Sequence, residues 1–275
     1  MRNAQILRWI VLCVLALLWI VPLVSLVLFS FAPPAEVLKG VFVPGEWTLD
    51  NYAKVLFETT RGVSVPTALL NSTIIMLLQV AGILLLDIPA AYAFARMRFF
   101  GRDVIFFMVL VSMMMPGILD VISLYDLMAN LGLVNTLAGV ILPGLPRVIG
   151  LFILRQFFME VPKEMEDAAK MDGATDFQVF TRIMIPLAMP SIITITVISA
   201  LYSWNNFLWP LIVTNTPSAM PVPVVIAYMS ADTSAVLNYT VLLAAAFVTS
   251  LPMILLFLLG QRWIVSGMRP SSGIK

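Results

Sequence analysis

The chain contains no histidine and a single cysteine. The first absence removes the usual general base, the usual neutral metal ligand and the usual pH switch. The second excludes an internal disulfide and a cysteine-built metal site, and Cys13 sits inside an apolar run. Charge is scarce as well. Asp, Glu, Lys and Arg make up 11% of residues, against about 25% in soluble domains. A net charge of +1 gives no electrostatic ground for binding nucleic acid. No G-x-x-x-x-G-K-[ST] occurs, so the chain has no phosphate-binding loop of its own. What is abundant is apolar: 61% of residues are hydrophobic and mean hydropathy is +1.00. The membrane is the expected solvent.

Arg2 and Arg8 precede an uncharged run from Trp9 to Phe31. A helix crossing a bilayer needs about 20 residues, so this run is long enough. It is too long for a signal peptide and no small-x-small site closes it, so a retained helix is expected. Ala32 to Pro66 is polar and rich in Pro and Gly, and reads as a loop. Leu69–Ala95 and Val104–Leu119 are the second and third expected spans. Asp120–Asn135 connects to a fourth, Thr136–Phe158, interrupted by Pro143-Gly144-Leu145-Pro146. The fifth runs from Leu187 to about Val213. Thr214–Asn238 reads as a loop whose one charge is Asp232. Tyr239–Leu259 is the sixth span, and a basic tail, Gln261–Lys275, follows.

Basic residues test this map, because they favour the cytoplasmic side. On one side fall Arg2, Arg8, Arg96, Arg98, Arg102, Arg155, Lys163, Lys170, Arg182, Arg262, Arg269 and Lys275. On the other fall only Lys39, Lys54 and Arg61, with Arg147 inside a span. Both termini and the loop at 159–187 are therefore expected in the cytoplasm of a multi-pass plasma or inner membrane protein.

That loop is the most charged segment of the chain. Pro162 suits a helix start, where its missing N–H costs nothing. Glu164, Glu166 and Asp167 lie where the helix dipole favours anions. Met165, Ala168 and Ala169 make a small apolar face at i, i+3, i+4. Gly173 fits a left-handed C-cap, and Thr175-Asp176-Phe177-Gln178 reads as a capping box opening a second helix toward Pro186. A small alanine face on a short exposed helix suits docking into a partner's groove.

The segment Asp167-Ala168-Ala169, then Gly173, then Ile183-Met184-Ile185-Pro186 resembles the EAA loop of ABC-importer permease subunits. Asp167 stands where that family has Glu, and Ile185 where it has Leu. Ala168–Thr175 resembles the carbohydrate-importing, maltose-transporter-type branch in particular. Trp47–Tyr52, Asn71-Ser72, Ala91–Arg96, Gly132–Thr136 and Gln261–Met268 are also similar to that branch. The resemblance implies an all-α integral membrane fold with six transmembrane helices and a cytoplasmic coupling helix between spans 4 and 5. It implies one permease domain over 1–275 with its coupling loop at 159–187. The implied partners are a second homologous permease, an ATP-binding subunit dimer, an extracytoplasmic solute-binding protein, membrane lipid and a carbohydrate substrate. ATP would be bound by the partner subunits, with no cofactor or metal on this chain and no catalysis by it. Glu166, Asp167, Ala168, Ala169 and Gly173 would carry ATPase coupling. The glycine-rich tail of relatives would leave Gly273 and Lys275 as its remnant, unless the tail is a basic end held near anionic lipid. A stand-alone secondary transporter using an ion gradient is the alternative, and it gives the loop spacing no use.

Ionisable residues inside spans point to function. Arg147, after Pro146, is a candidate for meeting an anionic or hydroxyl-rich substrate, or for pairing with Asp120, Asp126 or a carbonyl. Asp87 near the end of its span suits a packing or gate hydrogen bond. Trp204, Asn205, Asn206 and Trp209 set aromatic faces beside amides, the arrangement that binds sugars, and an interfacial aromatic belt would look the same. Asn71, Ser72, Gln79 and Ser203 either bond between helices or line the path. The methionines read as flexible packing.

Overall fold

A computed structural model describes residues 2–40, 42–59, 62–231 and 235–267, and its described residues form helices joined by turns. Arg61, Asp232 and the tail from Met268 to Lys275, including Gly273, lie outside the described residues. The helices are α1 (Arg2–Ser30), α2 (Pro34–Leu38), α3 (Asp50–Phe57), α4 (Val65–Arg96), α5 (Arg102–Ser112), α6 (Val121–Asn130), α7 (Leu137–Ile141) and α8 (Val148–Glu160). Then come α9 (Lys163–Met171), α10 (Asp176–Val179), α11 (Ile185–Asn205), α12 (Leu208–Val213), α13 (Val222–Ser230) and α14 (Ala235–Gly267). Four stretches are long and apolar enough to cross a membrane: Gln5–Ser30, Val65–Arg96, Asp176–Asn205 and Tyr239–Gln261. Leu137–Gly144 with Val148–Glu160, bent by 41°, makes a fifth if the pair is one crossing.

Prolines explain where expected spans and observed helices differ. The third expected span is helical only to Ser112. Pro116 has no N–H, and its ring collides with the carbonyl four residues back, which is that of Ser112. Pro210 likewise forbids a continuous helix through Asn206. The fifth expected span therefore ends as α11 at Asn205 and resumes as α12, where Pro210 sits harmlessly in the first turn. The expected loop 214–238 contains α13, with Pro221 at its N-cap and Pro223 in its first turn.

The chain divides into two compact units. In the first, residues 1–70 with 221–252, α1 exposes apolar side chains along most of its length, as a lipid-facing helix does. The segment after it is tied down by Asn51. Its amide donates to the Ser30 and Ala32 carbonyls (2.9 and 2.8 Å) and accepts from Thr240 Oγ1 at 3.1 Å. Tyr52 meets the Ser30 hydroxyl at 2.6 Å and packs on Phe31. Glu36 pairs with Lys39 and accepts the Gly45 N–H at 2.8 Å. The Lys39 hydrogen bond and the Gly45 amide hold that carboxyl below its usual range.

In the second unit, residues 71–220 with 253–275, two clusters fix the helices. One joins the end of α4 to α8, α10 and α11 around Tyr92, Leu154, Phe158, Val179 and Met184. The other gathers Ile75, Met128, Val140, Ile141, Trp209 and Val213. Gln79 donates to the Val140 and Ile141 carbonyls, both at 3.2 Å, satisfying acceptors freed where α7 gives way to a 3-10 turn at Leu142–Gly144.

Candidate functional site

The loop at 159–187 is built almost wholly from local chemistry. Pro162 takes the N-cap position rather than the first turn, and its carbonyl accepts the Met165 N–H. α9 ends in a full Schellman motif. Ala174 N–H reaches the Ala169 carbonyl and Gly173 N–H the Lys170 carbonyl, both at 3.0 Å, with Gly173 at φ +88°. The capping box is complete: Gln178 N–H donates to Thr175 Oγ1 at 3.3 Å, and Thr175 N–H donates to Gln178 Oε1 at 2.9 Å. Lys170 and Asp176, 2.7 Å apart, close the hairpin, and that contact raises the lysine pKa. The chain then runs through a π turn, Phe180–Met184, into α11. The wider turn accommodates Pro186, whose missing N–H leaves the Arg182 carbonyl without an α-helical donor.

The two faces of α9 differ. Asp167, Ala168, Met165 and Met171 are exposed, and Phe177 beside them is 72% exposed. Ala169 turns the other way and packs with Ala174 and Phe180 onto the α4–α8–α11 cluster. The expected face of Met165, Ala168 and Ala169 is thus split. Glu166 is 8% exposed and turned inward, so it is no surface contact. Its Oε1 lies 2.8 Å from Arg96 Nε at the end of α4, and Arg96 also donates to the Val161 carbonyl. One buried ion pair therefore ties the root of α9 to α4.

The expected path residues scatter. Trp204 and Trp209 are 4% and 8% exposed, so neither offers a face to a sugar. Trp209 instead donates from Nε1 to the Gly139 carbonyl at 3.0 Å. Asn71 is buried too, and its amide ties down the Ser218 and Met220 carbonyls at 2.9 and 3.1 Å. Trp209 and Asn71 serve carbonyls left by the irregular segments beside them, while Trp204 is simply packed inside. Asn205 is exposed, its amide donating to the Leu201 carbonyl, and Asn206 is half-buried.

Arg147 does not pair with Asp120 or Asp126. It lies over the ring of Tyr202, 3.4 Å from guanidinium carbon to ring centroid. Tyr202 went unnoticed in the sequence, although it lies one helical turn before Asn205. Asp87 is 6% exposed. One of its oxygens abuts Gly150 so closely that a methyl group there would collide with it. That oxygen has no hydrogen-bond partner among the described residues.

The family described as "Binding-protein-dependent transport system inner membrane component" matches residues 1–270. The arabinooligosaccharides transport system permease protein AraQ of Halalkalibacterium halodurans is 35% identical, over 97% of this chain and 96% of its own. The trehalose transport system permease protein SugB of Mycobacterium tuberculosis is 34% identical, over 92% and 90%. The sn-glycerol-3-phosphate transport system permease protein UgpE of Brucella abortus is 32% identical, over 86% and 83%. Among solved structures, a chain of a bacterial ABC transporter that imports the acidic polysaccharide alginate superposes with a TM-score of 0.84. It is 26% identical, over 95% of this chain and 96% of that one.

Proposed function

The chain belongs to the family of binding-protein-dependent transport system inner membrane components, and from that premise we propose that it is the carbohydrate-translocating permease subunit of an ABC importer. It is a transport subunit and not itself an enzyme. The family implies ATP-binding and solute-binding partners in general. The fuller assembly proposed here adds a second, homologous permease and two copies of the ATPase, which hold all the bound ATP. Residues 1–275 serve as one permease domain. It crosses the membrane six times, with the 102–119 segment as the third crossing, and keeps both termini and the 159–187 loop in the cytoplasm.

The observation that carries this reading is the two-faced α9. Its outer face offers Met165, Ala168, Met171 and the neighbouring Phe177, an apolar patch with small side chains at its centre. Such a patch suits a groove on a partner. Its inner face is bonded to the ends of α4, α8 and α11. Displacement of α9 by an ATPase would move those helices together, because packed interiors shift as bodies rather than deform. Gly173 holds the hairpin turn, Asp167 and Ala168 meet the ATPase, and Ala169 and Glu166 carry the load inward.

The test is a pull-down of the tagged chain from mild detergent, with and without Ala168→Arg. The wild type is expected to recover an ATPase and a second permease, and its turnover to rise with a loaded binding protein. Ala168→Arg is expected to reach the membrane but lose the ATPase. Solute movement by the lone chain without ATP would support a gradient-driven transporter instead.

A further inference from the structure

Arg147 is an arginine with unfinished business. It sits midway along the 137–160 pair of helices, at the N-cap of α8. With the pair as one crossing, either end is about 15–20 Å away at 1.5 Å per residue, too far for its side chain to reach an interface. Facing acyl chains would be costly for a charge. Yet it is only half-buried. Among the described residues its guanidinium makes no hydrogen bond and no ion pair; its one described contact there is the face of Tyr202. Stacking fixes the plane of the fork and leaves the N–H groups at its rim free.

Asp87 is the nearby carboxyl, within electrostatic reach of Arg147 but forming no ion pair with it. One of its oxygens presses against Gly150 without a hydrogen bond, and the carboxyl is held by the Leu151 N–H in the first turn of α8. The chain just before Arg147 is unwound, and irregular backbone at such a depth is tolerated where it is buried in protein or lines a watery cavity. Asn205 is exposed on the same face of α11 as Tyr202. A planar cation with free donors, an unwound backbone and an amide together describe a site for an oxygen-rich molecule bearing negative charge.

We propose that Arg147, held in plane by Tyr202, recognises a carboxylate or phosphate group on the transported carbohydrate. This rests on the importer reading above and adds the substrate's charge. A fork over a carboxylate or phosphate forms two parallel bonds, and a neutral hydroxyl pair gains much less. Asp87 stays behind as the permanent neighbour, so the substrate's anion answers a cation that the protein itself leaves free.

The experiment reconstitutes the whole transporter in proteoliposomes. It follows ATP-driven uptake of three probes supplied singly: a digalacturonate, glucose 6-phosphate and neutral maltose. One anionic probe should be favoured, and which one separates carboxylate from phosphate. Arg147→Gln should raise the KM for that probe by roughly 30-fold or more, the scale for removing one side of a close charge pair. Arg147→Lys should recover part of the loss, keeping charge without the fork. Tyr202→Leu, which leaves the charge in place, should also raise the anionic KM and covers the case in which Arg147→Gln fails to insert. Preferred maltose uptake, unaltered by Arg147→Gln, would overturn the proposal while leaving the importer reading intact. So would an Arg147→Gln variant that loses the paired permease in a pull-down at unchanged KM, for then the cation serves subunit packing. Absence of ATP-driven uptake of all three probes would count against the carbohydrate-importer reading and this proposal together.

Discussion

The loop at 159–187 and the break at 142–147 are both short interruptions in an apolar chain, and they treat an inward-turned arginine differently: Arg96 faces a carboxylate, Arg147 a tyrosine ring. In the loop the charged and capping groups find partners close by, mostly at the exposed surface. Thr175 and Gln178 bond each other, Lys170 meets Asp176, and Glu166 faces Arg96 as a buried ion pair whose two nearest atoms make no aligned hydrogen bond. At the break, Gln79 satisfies two backbone carbonyls, but the Arg147 fork and one Asp87 oxygen are left without hydrogen bonds among the described residues. A buried arginine that faces a carboxylate braces the helices that carry the two charges. An arginine stacked only on a ring keeps its N–H donors available.

The sharpest way to break this contrast is to unbrace the loop. Arg96→Glu leaves two anions facing each other in a buried place, where loss of one partner costs about 3–5 kcal/mol. The variant is expected to lose ATP-driven uptake and much of its membrane level. The double variant Arg96→Glu with Glu166→Arg is expected to recover a large part of both, measured by immunoblot and uptake. Recovery would show that the pair acts as a brace and not as two independent surface contacts.

Next comes the turn. Gly173 at φ +88° tolerates a Cβ poorly, at about 1–2 kcal/mol for a left-handed residue. The space around it is open, so Gly173→Ala is expected to insert normally. It should lower transport per ATP hydrolysed without altering substrate KM. A smaller effect is expected at Trp209. Trp209→Phe removes the bond to the Gly139 carbonyl, worth about 1 kcal/mol. It should lower the thermal midpoint and leave substrate KM unchanged, whereas a sugar-stacking tryptophan would shift KM.

The smallest effect lies far from both regions, in the Glu36–Lys39 pair. A carboxyl held below its ordinary value contributes stability above its unfolded pKa. That contribution is lost as pH falls through the depressed folded value. Lys39→Met removes the chief cause of the depression. The Gly45 amide should then begin to exchange faster at a higher pH than in the wild type, read by hydrogen exchange across pH 3–6. Lys39 is exposed, so the shift should be modest.

What the sequence made legible follows the same division. The hairpin could be read because its signals are local: a proline before the helix, a glycine after it, and Thr and Gln three residues apart. The same loop's inward face was not legible. Glu166 looks like any acidic residue in a first turn, and only the fold brings Arg96, 70 positions earlier, beside it. The apolar runs at Trp9–Phe31 and Tyr239–Leu259 were legible by length: the first is one helix to Ser30 and the second lies within α14. Val104–Leu119 and Leu187–Val213 were misjudged in extent because hydropathy ignores backbone sterics, and Pro116 and Pro210 decide where the helices stop. Trp204 and Trp209 illustrate a third limit. An aromatic beside amides looks the same in sequence whether it stacks on a ligand or fills a core, and burial separates the two. Tyr202 was overlooked because its role exists only opposite Arg147.

The π turn at Phe180–Met184 has one more implication. A π turn is an α-helix with a residue to spare, so shortening the chain by one residue there leaves the segments on either side in phase. Shortening α11 by one residue between Ser191 and Ser199 instead rotates everything beyond by about 100°. Tyr202 would swing away from Arg147 in the second case and stay opposite it in the first. The angular setting between the α9–α10 hairpin and the Tyr202 end of α11 is thus insulated from a change of one residue at the turn just before α11, as a slip joint insulates a drive shaft.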